Sequence, residues 1–396
     1  MQPFDREGGR KAGDSPFHPV AEQRAGQPLN LVPTALGAGL RGPGGGSVES
    51  LNRAFGNMFA DAPQLAVPGK ASKEQPAEPP KQVPGVYPGV KDLTGDYGAL
   101  AAGKRSSTQG VVLHRTESTS AAGTLGSYKD RIDSGSNVGA QYLIDEKGGT
   151  NLVTPLDSMV YHAKGFNAST VGVEVVGPAK KLDRTGAKQP LRDQIAGMNL
   201  SPEFEARLLG YNDKQLNNVV KWNGDQIYED INGAQKRAVW NLTGNLANEY
   251  GLDRSSLSQH GKDESGSNNY TTATLPDFNA HEHINPKALG EAEPMIEFLR
   301  ARQQYPQLVA QAEQKLAALR ASGADPAQIA KLEAQVRQEQ GTLGALNLDG
   351  NAGELAALKA ERDSGKPGEA SARESQRTTF YDNFYDRVGA LKTSVQ

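Results

Sequence analysis

The sequence predicts an α/β fold in which helices flank a central mixed β-sheet. Two observations support this class. Between about residues 96 and 290, short apolar runs typical of strands alternate with segments whose apolar residues recur at helical spacing. In addition, Lys147-Gly148-Gly149 separates two such runs, Tyr142–Asp145 and Asn151–Val153, as expected of a hairpin.

The other elements follow in chain order. Strands are predicted at Val111–His114 and Val171–Val176, with a shorter one at Leu257–His260. The stretch from Pro178 to about Gly233 is more polar, and we expect a long loop region beside the sheet. Helices are predicted from apolar residues at helical spacing: Leu125, Tyr128 and Ile132, and then Val239, Leu242, Leu246 and Tyr250, with Gly251 as the stop.

Both ends of the chain differ from this central part. Residues 1–95 are rich in Gly and Pro, which predicts a disordered arm, with one short amphipathic helix near 47–60 that docks either on the chain itself or on a partner. Residues 291–362 are predicted to form a helical hairpin and 363–396 a tail that begins polar and then carries an aromatic cluster. We therefore expect a domain at 96–290, and we expect residues 1–95 and the segment around 363–378 to be dispensable for its activity.

Composition excludes several function classes. The 43 basic and 46 acidic residues nearly balance, so nothing attracts nucleic acid to the chain as a whole. The absence of cysteine excludes disulfides and thiolate metal ligands. No stretch has the apolar length of a membrane span, and the N-terminus lacks the apolar segment of a secretory signal.

Three residues indicate chemistry. His114 ends one predicted strand, His260 ends another, and Glu174 interrupts an otherwise apolar strand. Each has a structural alternative: a histidine at a strand end is commonly a satisfied polar residue, and Glu174 could face solvent. A carboxylate buried there would need a partner or a task.

The order of the segments resembles the zinc-dependent N-acetylmuramoyl-L-alanine amidases of the peptidoglycan recognition protein and phage lysozyme-type family. The matching pieces are Val112–Thr116, Val138–Asp145, Tyr161–Asn167 followed by Thr170–Gly177, and then a helix and His260. The resemblance implies a central mixed sheet with zinc on the floor of a groove. It also implies hydrolysis of the amide between N-acetylmuramic acid and L-alanine in bacterial peptidoglycan.

The resemblance implies that zinc is held by His114, His260 and a third ligand close to a proline. Leu275 stands just before Pro276 and cannot bind zinc, so Asp277 is the expected substitute. The competing candidates are Asp263, Glu264, His281 and His283.

Roles for other residues follow from the same resemblance. Ala140 stands where some family members place a catalytic Tyr, which favours Glu174 as the general base. His162 is expected to line the substrate groove rather than to bind the metal, and it is the second candidate for the base. We expect Lys164, Asn167 and Thr116 to contact substrate.

Three functions remain open at this point: a peptidoglycan hydrolase, a binding module that has lost catalysis, and a structural component of a virion. An arm, an enzyme and a helical tail suit a virion-associated lysin or an antibacterial effector delivered to the cell wall. The N-terminal arm or the C-terminal helices would then contact the virion or the secretion machine.

Overall fold

The computed structural model describes residues 83–261, 267–285 and 289–396. The predicted helix near 47–60, and Asp263 and Glu264, lie outside these ranges. Within them the strands are β1 to β10, in chain order: Val90–Asp92, Gly103–Lys104, Gly110–Arg115, Tyr142–Ile144, Thr150–Leu152, Ser158–Met159, Thr170–Val175, Ala179–Lys181, Gln226–Tyr228 and Phe278–Ala280.

Helices occupy most of the remaining described residues. The helix Gly233–Tyr250 begins after a capping box formed by Asn232 and Gln235, and it ends at Gly251, whose φ of 66° is left-handed. The helices α1 to α12 are, in chain order: Thr94–Tyr97, Ala121–Asp133, Leu191–Ala196, Pro202–Gly210, Asp213–Trp222, Gly233–Tyr250, His281–Ile284, Glu293–Ser322, Pro326–Asn347, Ala352–Ser364, Glu369–Asp382 and Phe384–Val395.

The central sheet has six strands in the order β1-β5-β4-β7-β3-β10. The β4–β5 hairpin is antiparallel, whereas the other neighbours in the sheet are parallel. The predicted α/β class with a mixed sheet is therefore confirmed. Strand β1 extends the sheet to Val90, so the ordered domain begins before residue 96.

Each face of the sheet is covered by helices. Val111 and Leu113 of β3 lie in the main core with Leu242 of α6 and with side chains of α8 and α12. Because strand side chains alternate, Val112 and His114 point to the opposite face. There Leu143 packs with Tyr128 of α2 in a smaller core. The sheet thus separates an apolar layer from the layer that carries His114.

Two segments differ from the sequence prediction. The stretch 178–233 was expected to be a loop, but it contains β8, α3, α4, α5 and β9, and it has its own apolar core that includes Phe204 and Ile227. The helices in this stretch are short and amphipathic, and their polar residues made the sequence resemble that of a loop. The segment Leu257–His260 is not a strand, since only Leu257 pairs there, in a single bridge to Phe278.

The C-terminal helices pack on the sheet domain. Helices α8 and α9 form the predicted hairpin. The aromatic cluster of the expected tail lies in α11 and α12, where Phe380 and Phe384 contact Tyr305 and Phe298 of α8. Within the described ranges no helix has the length and apolar character needed to cross a membrane.

A buried arginine in the segment expected to be a tail forms hydrogen bonds with the preceding helices. Arg377 of α11 is fully buried, and it donates to the Ala345 carbonyl and to Glu354, each at 3.0 Å. This packing argues against the expectation that the segment around 363–378 is dispensable.

Replacement of Arg377 by methionine should lower the free energy of unfolding by about 3 kcal/mol, because a buried carboxylate loses a partner. Denaturant unfolding of the full chain measures the change. The matched control is Arg337→Met, which removes an exposed pair with Glu333 and should leave the unfolding free energy unchanged. Equal effects of the two changes would show that the Arg377 network contributes nothing specific.

Candidate metal centre

Two neighbouring strands bring His114 and His281 together. Strands β3 and β10 are parallel, and Leu113 is the register partner of Ala280. The next residue along each strand direction is a histidine, so the two side chains emerge side by side at the same edge. Their ring centroids are 4.3 Å apart.

Glu291, which lies between α7 and α8, completes a group of three. Its Oε1 is 3.4 Å from His114 Nδ1 and 3.2 Å from His281 Nδ1. All three side chains are buried, and their ligand atoms lie within 4.8 Å of one another. Two imidazole nitrogens and one carboxylate oxygen form a donor set that suits zinc, with a position left for water or substrate.

Glu282 fixes the segment that carries Glu291. Its two carboxylate oxygens accept hydrogen bonds from the backbone N–H groups of Ala292 at 2.6 Å and Glu293 at 2.8 Å. These are N–H groups at the start of α8, which have no partner within the helix. Burial and the charges of Glu291 and Glu293 raise the pKa of Glu282 well above its usual range. The side chain therefore joins α7 to α8 directly beside the metal-binding group.

His162 contacts the other side of the His114 ring. His162 Nδ1 lies 3.1 Å from His114 Nε2, and its own Nε2 lies 3.3 Å from Thr170 Oγ1. When the unprotonated Nδ1 of His114 faces the metal position beside Glu291, the ring proton lies on Nε2 and is donated to His162 Nδ1. The tautomers of both rings are assigned from this hydrogen-bond geometry. Burial, His114 and His281 hold the pKa of His162 well below its usual range, which keeps it neutral and able to accept.

Gly172 makes room for the His162 ring, since a Cβ added at Gly172 would lie 2.8 Å from His162 Cγ. Gly172→Ala should therefore displace His162 and weaken zinc binding about 10- to 100-fold, as loss of a residue that orients a ligand does. A competition titration with a zinc chelator measures the affinity. The control Gly126→Ala adds its Cβ in open space on α2 and should leave zinc affinity unchanged; an unchanged affinity in Gly172→Ala as well would rule out this role for His162.

Glu174 lies beside His114 on the same face of the sheet. The two residues are register partners in the parallel pair β3–β7. Both line a cavity of about 280 Å³ together with His162 and His281. Glu174 also lines a larger neighbouring cavity of about 680 Å³. Glu174 thus lines both cavities, next to the candidate metal ligands.

The residues predicted to contact substrate line these two cavities. Lys164 and Asn167 lie at the smaller one, and Thr116 lies at the larger one. Asn167 Oδ1 accepts from the backbone N–H of His162 at 2.9 Å and of Ala163 at 2.7 Å, so it also shapes the loop that carries His162. The φ of Lys164 is +43°, a strained value for a residue other than glycine, and its side chain is exposed.

The group of possible metal ligands at His114 contains neither His260 nor Asp277, so it differs from the ligand set expected from the sequence. The strand that carries the second histidine is β10 and not residues 257–260. Asp277 precedes this strand and His281 follows it, so four residue steps separate their Cα atoms by roughly 13 Å. Asp277 instead accepts a hydrogen bond from the backbone N–H of Asp253 at 2.6 Å.

Sequence reasoning gave His281 only as a competing ligand and missed Glu291. Strand β10 has three residues, too few to show a pattern, and Glu291 follows a turn with no periodic signal. Sequence reasoning also passed over two exposed aromatic residues that line the cavities, Tyr161 at the smaller and Trp222 at the larger.

Residues 104–274 match the model of a family described as N-acetylmuramoyl-L-alanine amidase. The matched range contains His114, His162 and Glu174 and ends before β10, so His281 and Glu291 lie beyond it. None of the curated proteins matches the chain.

Several solved structures are similar to part of the chain. A mutant endolysin from Bacillus subtilis is 12% identical, with a TM-score of 0.29 over 53% of this chain and 97% of its own. The N-acetylmuramoyl-L-alanine amidase LysC from Clostridium intestinale URNW is 12% identical, with a TM-score of 0.28 over 52% and 95%. The Staphylococcus aureus hydrolase AmiA, in complex with its ligand, is 9% identical, with a TM-score of 0.30 over 56% and 86%.

Proposed function

We propose that this chain is a zinc-dependent peptidoglycan hydrolase that cleaves the amide between the lactyl group of N-acetylmuramic acid and L-alanine. One observation carries the proposal. His114, His281 and Glu291 converge beside Glu174, in a chain whose residues 104–274 match the amidase family model.

His114 and His281 would hold the metal through Nδ1, and Glu291 through a carboxylate oxygen. Zinc bound there supplies Lewis-acid polarisation of the amide carbonyl and lowers the pKa of water. The burial of all three ligands excludes bulk water, which strengthens electrostatic interactions at the site. His162 keeps the His114 ring in the orientation and tautomer that binding requires.

Glu174 is placed to move the proton. It accepts a proton from the water that attacks the lactyl carbonyl carbon, forming the new C–O bond. It then delivers that proton to the nitrogen of L-alanine as the C–N bond breaks. The products are a carboxylic acid on the muramic acid, which loses its proton to solvent, and a free amine on the peptide. The position of Glu174 on both cavities, beside His114, supports this role.

The two cavities would hold the substrate on either side of the scissile bond. Lys164 and Asn167 contact one part of it in the smaller cavity, and Thr116 contacts the other part in the larger one. The exposed ring of Trp222 offers a flat apolar surface at the larger cavity, of the kind on which a sugar or a peptide side chain can pack.

We further propose that the enzyme acts at the bacterial cell wall after delivery by a virion or a secretion machine. The N-terminal arm or the C-terminal helices would contact that carrier. The basis is the sequence expectation that a Gly- and Pro-rich arm and a helical C-terminal part accompany the enzyme domain.

Digestion of purified peptidoglycan tests the proposed reaction. The full chain is incubated with the substrate in zinc, in chelator, and in chelator followed by excess zinc, and the products are identified by mass spectrometry. We expect peptides with a free L-alanine amine and glycan with intact lactyl carboxylates, lost in chelator and restored by zinc. Cleavage of a glycosidic or a peptide–peptide bond would contradict the proposal, and binding without cleavage would indicate a recognition module.

A further inference from the structure

A second group of two histidines and a glutamate lies next to the candidate metal centre. His260 Nδ1 is 3.6 Å and His283 Nε2 is 3.8 Å from the same oxygen, Oε1 of Glu293. Their three ligand atoms lie within 4.8 Å of one another. The donor set is again two imidazole nitrogens and one carboxylate oxygen, which suits zinc or a similar first-row divalent cation.

Two histidines and two glutamates that are close in sequence are divided between the two groups. His281 and His283 are two positions apart, and so are Glu291 and Glu293. The first member of each pair belongs to the candidate catalytic centre and the second to the second group. Glu282, which lies between the two histidines, accepts from the backbone N–H of Glu293. This hydrogen bond holds the histidine pair and the glutamate pair in place relative to each other. One short segment thus supplies two ligands to each group.

The partners of His283 and Glu293 leave their ligand atoms directed at each other. His283 Nδ1 lies 2.9 Å from Ser258 Oγ, and a proton on Nδ1 that is donated to Ser258 leaves the Nε2 lone pair facing Glu293. Arg207 forms an ion pair with Oε2 of Glu293, so Oε1 remains toward the two histidines. Both arrangements are typical of the residues that orient metal ligands.

Arg207 also sets the strength expected of this group. Its Nη1 lies 3.1 Å from His260 Nε2, and a guanidinium only donates, so the Nδ1 of His260 carries the ring proton. A cation bound at Nδ1 takes the place of that proton, which then has to lie on Nε2. Because a protonated Nε2 cannot accept, Arg207 must give up its contact with His260 while it keeps its ion pair with Glu293. The second group should therefore bind a cation more weakly than His114, His281 and Glu291 do.

We propose that His260, His283 and Glu293 form a second divalent-cation site, distinct from the proposed catalytic centre. The site opens into a cavity of about 310 Å³, so a cation can reach it. Because His260 lies on the segment after α6 and Glu293 begins α8, a bound cation would join these two parts of the chain. The predicted effect is structural stabilisation, since Glu174 lines a different cavity.

Metal stoichiometry of the full chain tests the proposal. Metal-free protein is dialysed against zinc in excess, and bound zinc is measured by mass spectrometry for the wild type, His260→Asn and His114→Ala. We expect two zinc ions per chain in the wild type and one in each variant, and zinc should raise the unfolding temperature of His114→Ala. The side chain of His260 is 22% exposed, so its replacement should preserve the fold. Gln259→Ala, at an exposed neighbour lining the same cavity, is the control and should retain two.

The possible outcomes separate this site from the catalytic proposal. A single zinc that persists in His260→Asn and is lost in His114→Ala overturns the second site and leaves the catalytic centre standing. A single zinc with the opposite dependence supports the second site and refutes the catalytic centre. Two zinc ions in His260→Asn, or none in the wild type, overturn the second site. If His260→Asn does not fold, as judged by circular dichroism, the same criteria apply to His283→Gln.

Discussion

Replacement of His281 by alanine is expected to remove the catalytic metal and reduce peptidoglycan hydrolysis to background. Only His114 and Glu291 would remain, and two ligands are fewer than the three protein ligands that a catalytic zinc site needs. Zinc bound by the full chain, which should fall by one ion per chain, and release of peptides with a free L-alanine amine are measured on the same sample.

This experiment also separates the two possible ligand sets. Asp277→Asn is the matched control, because Asp277 was the ligand expected from sequence and an asparagine can still accept from the backbone N–H of Asp253. We expect Asp277→Asn to keep both metal and activity. The opposite pattern, with His281→Ala active and Asp277→Asn inactive, would restore the ligand set derived from sequence.

Replacement of Glu174 by glutamine should lower kcat by about 10²- to 10⁴-fold while zinc content stays unchanged. Glutamine keeps the shape of the side chain but cannot take the proton from the attacking water. Since Glu174 lies beside His114 and lines the two cavities proposed to hold the substrate, its loss should act on turnover more than on KM.

The matched control is Glu117→Gln, which removes a carboxylate from the exposed wall of the larger cavity. It should stay within a few-fold of the wild type. If Glu174→Gln also hydrolyses peptidoglycan within a few-fold of the wild type, Glu174 is structural. His162 would then be the first residue to test as the base.

Much of the fold could be predicted because its signals are local. The strands around Val112 and Val173 each contain a short run rich in valine, and α6 shows a regular apolar stripe that ends at a glycine. The hairpin at Gly148 follows from turn chemistry. The helices between β8 and β9 were missed because they are short and largely polar at the surface.

The candidate site was predicted only in part. The structure brings His114, His162 and Glu174 to one cavity, and the sequence grouped these three only through the family resemblance. The remaining ligands depend on which short segment pairs with β3. That pairing is a long-range contact decided by three buried residues, Phe278 to Ala280, and no local pattern in the sequence encodes it.

Anomalous scattering at the zinc absorption edge, from crystals of the full chain grown with zinc, tests the central claim most directly. The account predicts a strong peak within bonding distance of His114 Nδ1, His281 Nδ1 and a carboxylate oxygen of Glu291, with zinc–nitrogen distances of about 2.0–2.1 Å. A zinc peak shared by His114 with His260 or Asp277, or no peak at His114 in zinc-replete crystals, would contradict it.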